Sequence, residues 1–375
     1  RVYPFPADFL RESQHMNARA RQLGFDLVRS NPQVCGLVLT GLLDGLCGEG
    51  IWSLWREWHP GMADVLQDGW APLKWCLFVS PTHVYAGQPV KIEAILANED
   101  ALAPGEYPAI ARIVHTATGT VVWEKNTTVR VPAPADGKPG PLAIPVIHED
   151  LTIDGPAGTY QAAVCLTRGG APTGGRVTFW VSEEPAMKVR RLTLWDADEA
   201  TRAWLVSKQV AVRSFGDPEP EEREIILVGN VSANSKLEDW RELMRRVSRG
   251  SQVIVLSPAA FRRDNDPVGW LPLVNKGKFV DSFESIWTKD CVAKTNPIFD
   301  GLQAGGIVDP EYYGPLIHRA PPLQVADHPQ ESPAVTFAVG NPEYDGFYTA
   351  GLLIGVYPFG EGRFVLNTLH VAENL

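Results

Sequence analysis

Apolar positions in the first seventy residues follow two different rules. From Asp8, read as an N-cap, Met16, Ala20, Leu23 and Leu27 recur at spacings of four, three and four, which predicts a helix running to Arg29. Ser30-Asn31-Pro32 stops it, because the residue before a proline avoids helical backbone. Between Val34 and Leu43 the alternation disappears. "VCGLVLTGLL" is an almost continuous apolar run, the signature of a strand covered on both faces. A loop follows that carries Trp52, Trp55 and Trp58 among Asp44, Glu49, Arg56 and His59, and then Met62, Val65 and Leu66 predict a short amphipathic helix. A helix–strand–loop–helix series is one piece of an α/β architecture. One parallel strand cannot close a core by itself, so this region, residues 1–74, reads as the end of something larger.

The period then changes to two. Val90, Ile92, Ala94 and Leu96 share one face, as do Tyr160, Ala162, Val164 and Leu166. Between them lie "ARIVH", "TVVWEKNTTVRV" and "PLAIPVI", separated by turn signals such as "APGEYP", "TATG" and "APADGKPGP". Short strands with frequent turns predict a β-sandwich of about seven strands over residues 75–184, immunoglobulin-like but without the Cys…Trp…Cys pattern. From 185 to 375 strands and helices alternate again. "RRLTLWD", "VAVRSF", "EIILVGN" and "SQVIVLSP" read as strands, and "DEATRAWLVSKQ" as a helix. A second helix has Leu237, Trp240, Leu243, Met244 and Val247 on its buried side, and its basic "RELMRRVSRG" cluster reads as the solvated side. "GLLIGVYPFGEGRFVLNT" predicts a hairpin around Gly360-Glu361-Gly362. Repeated βα units predict a mostly parallel sheet with helices on both faces. The fold class is therefore multidomain, α/β plus all-β.

Composition narrows the picture further. A net charge of −10 over 375 residues argues against a nucleic-acid partner, which asks for a basic face. No stretch approaches the roughly 18 uninterrupted apolar residues of a membrane span, and no membrane partner is expected. No signal peptide is visible at Arg1, and the compartment stays open. Five cysteines without CxxC spacing point to reduced, mostly buried thiols. The sequons at Asn126 and Asn230 are at the chance level for this length. The histidines show no HxxxH or HExxH spacing, and no acidic cluster resembles a calcium loop, so no metal is expected. His115 and His148 read as surface or hydrogen-bonded side chains. No GxGxxG follows a strand, and no cofactor is expected.

The order of the three regions resembles the C-terminal part of a family 2-type glycoside hydrolase, β-galactosidase-like. "NPQVCGLVLTGLLDG…GIWSLWRE" resembles the last strand and following loop of a (β/α)8 barrel, and "VYAGQPVKIEAILANEDALAPGEY" the immunoglobulin-like sandwich that follows it. "KDCVAKTNPIFDGLQAGGIVDPEYYGPLI" with the closing hairpin resembles a flavodoxin/glutamine-amidotransferase-like accessory domain. The resemblance implies that the Val34–Leu43 run is the eighth barrel strand, that the helix before it is the seventh, and that an upstream barrel segment of the same enzyme is a partner. It implies hydrolysis of O-glycosidic bonds in a glycoside or oligosaccharide.

Retaining glycosidases need two carboxyl groups roughly 5 Å apart. The resemblance places them as strand-end glutamates upstream of Arg1. Glu12 lies inside a predicted helix and matches neither, so this chain alone is expected to be inactive. What remains is a share of the substrate wall. Trp52 and Trp55 offer faces for stacking on a pyranose, and Asp44 and Glu49 offer acceptors for its hydroxyls. The competing reading has the tryptophans packing between barrel and sandwich and the carboxylates capping turns. An amidotransferase would need a nucleophilic cysteine on a G-x-C-x-G elbow. Cys291 in "TKDCVAK" reads as helical instead, and "GLCGE" around Cys47 lacks the second glycine. The third region is therefore read as a packing or homo-oligomerisation module, with Tyr312 and Tyr313 as either a contact surface or a core-edge turn. A non-catalytic carbohydrate-binding scaffold is the alternative for the whole chain.

Overall fold

The period-two segments form the predicted sandwich. The computed structural model describes residues 2–34, 36–39, 41–43, 50–134, 140–184, 186–218, 223–229, 236–279, 286–317, 322–340 and 348–371. Two compact units result, Pro6–Glu184 and Pro185–Leu375, the second joined by Arg1–Phe5.

In the first unit, helices α1 (Pro6–Arg29) and α2 (Met62–Gly69) precede nine strands. These are β1 (Leu73–Ser80), β2 (His83–Tyr85), β3 (Pro89–Asn98), β4 (Gly105–His115), β5 (Val121–Val131), β6 (Ala143–Thr152), β7 (Gly158–Leu166), β8 (Thr173–Gly174) and β9 (Arg176–Ser182). One sheet has the order β6-β3-β1-β8 and the other β2-β9-β7-β4-β5. The inward face of β3 is Val90, Ile92, Ala94 and Leu96, packed with Ile113, Tyr160, Val164 and Phe179 from the facing sheet. Tyr160 is wholly buried, stacks on Phe179 at 5.5 Å and donates its hydroxyl to the Pro156 carbonyl at 2.5 Å. Burial raises its pKa. That backward hydrogen bond to a residue four positions upstream pins a corner of the sandwich, as tyrosine corners do.

Helix α1 turns an unexpected side to the protein. Its buried residues are Ala18, Phe25 and Asp26, whereas Ala20, Leu23 and Leu27 of the predicted apolar stripe are exposed and Met16 is half-buried. Asp8 lies in the first turn and is not the N-cap, because Pro6 already opens the helix. Polar and aromatic contacts hold the helix on β1. Lys74 Nζ, 0% exposed, is 2.8 Å from Asp26 Oδ1. Arg29 donates to the Gly69 and Ala71 carbonyls at 2.8 and 2.5 Å and pairs with Glu99 at 2.9 Å. The Phe25 ring lies edge-on to Trp70 and so close to Gly69 that a Cβ there would sit 2.5 Å from it.

The expected Val34–Leu43 strand is not formed among the described residues. Residues 36–39 and 41–43 are irregular, apart from a single bridge between Leu43 and Trp52. Leu37 and Leu39 pack on the helix core of Ala18, Phe25, Ile51, Met62 and Val65, while Val38 is 86% exposed and Leu42 and Leu43 face solvent. The physical reason is the missing ladder: a parallel strand exists through hydrogen bonds to neighbours, and among the described residues no strand pairs with it.

The second unit begins as predicted. Strands β10 (Arg191–Trp195), β11 (Ala211–Ser214), β12 (Ile225–Val228) and β13 (Gln252–Val255) alternate with helices α3 (Glu199–Ser207) and α4 (Leu237–Ser248). Seven more strands follow: β14 (Lys278–Phe279), β15 (Ile286–Ala293), β16 (Gly306–Ile307), β17 (Leu323–Gln324), β18 (Glu331–Gly340), β19 (Tyr348–Phe359) and β20 (Gly362–Asn367). A short helix, α5 (Pro310–Tyr313), interrupts them. Along the sheet the order is β11-β10-β12-β13-β20-β19-β18-β15-β16. The first five of these are mutually parallel, in the doubly wound order 2-1-3-4-5, and the rest pair antiparallel. Leu205 of α3 packs with Leu192 and Leu194, whereas Trp240, Leu243 and Val247 of α4 pack with Ile226, Val228, Val253 and Val255. The two helices therefore cover opposite faces of the strands. The closing hairpin turns at Gly360, whose φ of 61° is positive and where an added Cβ would sit 2.5 Å from the Ser248 carbonyl oxygen, so the position favours glycine.

Three details go beyond the expected pattern. Cys291 lies on β15, paired through Thr336 of β18, and not in a helix. Tyr312 and Tyr313 are buried, which fits the core-edge turn and not the contact surface of the two readings open for them. Arg246, placed by its periodicity on the solvated side of α4, is 4% exposed. Its Nε donates to Glu242 at 2.8 Å and its Nη1 to Glu224 at 3.2 Å, while Nη2 reaches the Phe215 carbonyl at 3.2 Å. A carboxylate delivered from the start of β12 pulled it inward.

Candidate substrate-facing site

The tryptophan loop is built by local hydrogen bonds. Ser53 Oγ accepts from the backbone N–H groups of Trp55 and Glu57, both at 3.2 Å, and the Ser53 N–H donates to the Glu57 carbonyl at 2.9 Å. Arg56 closes the turn in the left-handed region, φ 64°. This tight loop pushes Trp55 outward, 82% exposed. Trp52 and Trp58, on either side, are bridged through their backbones and meet edge-to-face at 5.0 Å. Ile51, 2% exposed, anchors the base of the loop in the helix core, and the His59 N–H donates back to the Ile51 carbonyl at 3.1 Å.

The expected site residues therefore divide. Trp52 is half-buried on the helix core, and its indole Nε1 has no hydrogen-bond acceptor among the described residues. Trp55 is a free-standing aromatic plate. Asp44 and Glu49 lie outside the described residues. Trp58, half exposed and in contact with Trp52, belongs to the same aromatic group, and sequence reasoning did not single it out. The even W-x-x-W-x-x-W spacing was the available signal.

At the C-terminal end of α1, a cavity of ≈ 260 Å³ is lined by Phe25, Arg29, Asn31, Leu37, Trp70 and Glu99 among others, with none of the tryptophan-loop residues among its lining. Arg29 spends its donors on Gly69, Ala71 and Glu99, so the cavity's charged groups are occupied with each other. Nearby Cys76 has its thiol pushed up to about 12, first by burial and then by the Asp26 charge, which keeps it protonated and unreactive. Cys76, Cys165 and Cys291 are all free thiols, Cys165 being the exposed one; Cys35 and Cys47 are outside the described residues. Among the described residues no group of three His, Cys, Asp or Glu side chains gathers as for a metal, and no helix is long and apolar enough to cross a membrane.

No family model matches this sequence, and no curated protein matches it. Solved structures show distant likenesses. One is an exo-β-1,4-mannosidase, Op5Man5, from Opitutaceae bacterium strain TAV5. It is 13% identical at a TM-score of 0.29, over 49% of this chain and 32% of that one. A glycosyl hydrolase family 2 member from Bacteroides cellulosilyticus DSM 14838 is 14% identical at a TM-score of 0.24, over 49% and 26%. An alkylpurine DNA glycosylase from Pseudomonas fluorescens, bound to DNA containing an abasic site analog, is 14% identical at 0.21, over 32% and 36%. The chain thus spans about a third or less of the glycoside hydrolases it is similar to. Neighbours this distant say nothing about activity.

Proposed function

We propose that this chain is the C-terminal portion of a retaining β-glycosidase of the β-galactosidase/β-glucuronidase kind, which contributes part of the substrate wall while another polypeptide segment carries the catalytic carboxyl pair. The observation that carries the reading is one-sided burial. Ala20, Leu23 and Leu27 on α1, with Val38, Leu42 and Leu43 after it, form apolar surface that the chain leaves to solvent, beside a loop that displays an indole. In a (β/α)8 barrel, the segment around Leu37–Leu43 gains ladder partners on both sides and becomes the eighth strand, α1 becomes the seventh helix, and the loop after the strand opens at the substrate end. Trp55 then stacks on the apolar face of a pyranose, Trp52 Nε1 donates to a hydroxyl, and Asp44 and Glu49 accept from others. The 2-1-3-4-5 strand order of the second unit supports a flavodoxin/amidotransferase-like accessory domain. It serves packing or oligomerisation, since neither buried Cys291 nor any other described cysteine sits on a nucleophile elbow.

The test is complementation with the upstream coding segment. The purified chain should not hydrolyse nitrophenyl β-glycosides, the reconstituted pair should, and Trp55→Ala should raise KM about tenfold or more in the pair. Turnover by the chain alone, or a reconstituted pair indifferent to Trp55→Ala, would refute the proposal. Saccharide binding by the pair without turnover would favour the scaffold reading, which the exposed indole also suits.

A further inference from the structure

We draw no further inference here: the strongest candidate, the cavity at the C-terminal end of α1 between Phe25, Leu37, Trp70 and Leu142, has its charged groups Arg29 and Glu99 paired with each other, and nothing in the structure shows what covers its apolar wall.

Discussion

Replacing Lys74 with methionine isolates the contact that fixes α1 to the sandwich. Methionine fills most of the space of a fully buried lysine stem, so the main loss is the partner charge 2.8 Å from Asp26. Asp26 itself is 8% exposed, and its pKa is already raised, because burial outweighs the opposing pull of Lys74. A raised carboxyl pKa contributes stability that is fully present below the ordinary value of 3.8 and is lost as pH rises through the folded value. In the variant the carboxylate has two choices, to stay charged without a partner, at about 3–5 kcal/mol, or to take up a proton. Protonation from an ordinary pKa of 3.8 costs about 4 kcal/mol at a pH of about 7 and about 2 kcal/mol at a pH of about 5, at about 1.4 kcal/mol per unit. The proton therefore sets a ceiling that falls with pH. Lys74→Met should destabilise the first unit by about 3–4 kcal/mol near neutrality and by about half that near pH 5. Asp26→Asn/Lys74→Met should recover most of the loss. Urea unfolding followed by hydrogen exchange, with amides of β1 and β3 reporting on this unit, measures both. A penalty below about 1 kcal/mol at neutral pH, or one that does not shrink on acidification, would refute the account of a buried pair governed by desolvation.

Gly69→Ala places a methyl group 2.5 Å from the Phe25 ring and should cost about 1–3 kcal/mol in denaturant stability; a neutral result would show that α1 can slide on β1. In the second unit, Glu242 is held down to about 2, first by the Arg245 hydrogen bonds and then by Arg246. A depressed carboxyl pKa gives stability that is present above its ordinary value of 4.5 and lost as pH falls through the folded one. Glu242→Gln should therefore be less stable than wild type at neutral pH, and the two unfolding midpoints should converge as pH falls from about 4.5 to about 2. A constant gap over that window would contradict the assignment.

Local periodicity made most elements legible. The alternation in β3 and β7, the helix of α4 and the glycine turn of the closing hairpin follow from residues close together in sequence. What escaped depended on partners distant in sequence. Arg246 has the position of a surface arginine, and its burial follows from Glu224, 22 residues earlier. Cys291 took the look of a helix because "TKDCVAK" lacks strict alternation; its strand is imposed by pairing with β18 on the far side of a long excursion. Trp58 joins Trp52 through a backbone bridge that spacing alone does not specify. The α1 stripe was found, but its direction was not. Sequence gives the greasy side of a helix, and which neighbour takes that side is a tertiary fact.

That direction has an energetic consequence. Leaving Leu23, Leu27, Val38, Leu42 and Leu43 in water, four of them only about half exposed, forfeits roughly half of the about 1.5–3 kcal/mol that full burial of each would give, a total on the order of 5 kcal/mol, which is comparable to the stability of a marginal domain. If α1 were free to choose its contact by hydrophobicity alone, the stripe would be buried on the sandwich and Asp26 would face solvent. Instead the helix docks through directional groups. The Lys74–Asp26 pair and the Arg29 bonds to Gly69, Ala71 and Glu99 accept one rotation of the helix and reject the others. Buried ion pairs add little net stability but discriminate strongly between packings, because the wrong packing leaves a charge unpaired. The contacts that attach α1 to β1 are thus the same contacts that hold its apolar stripe outward, where a strand-supplying partner would recover the forfeited energy.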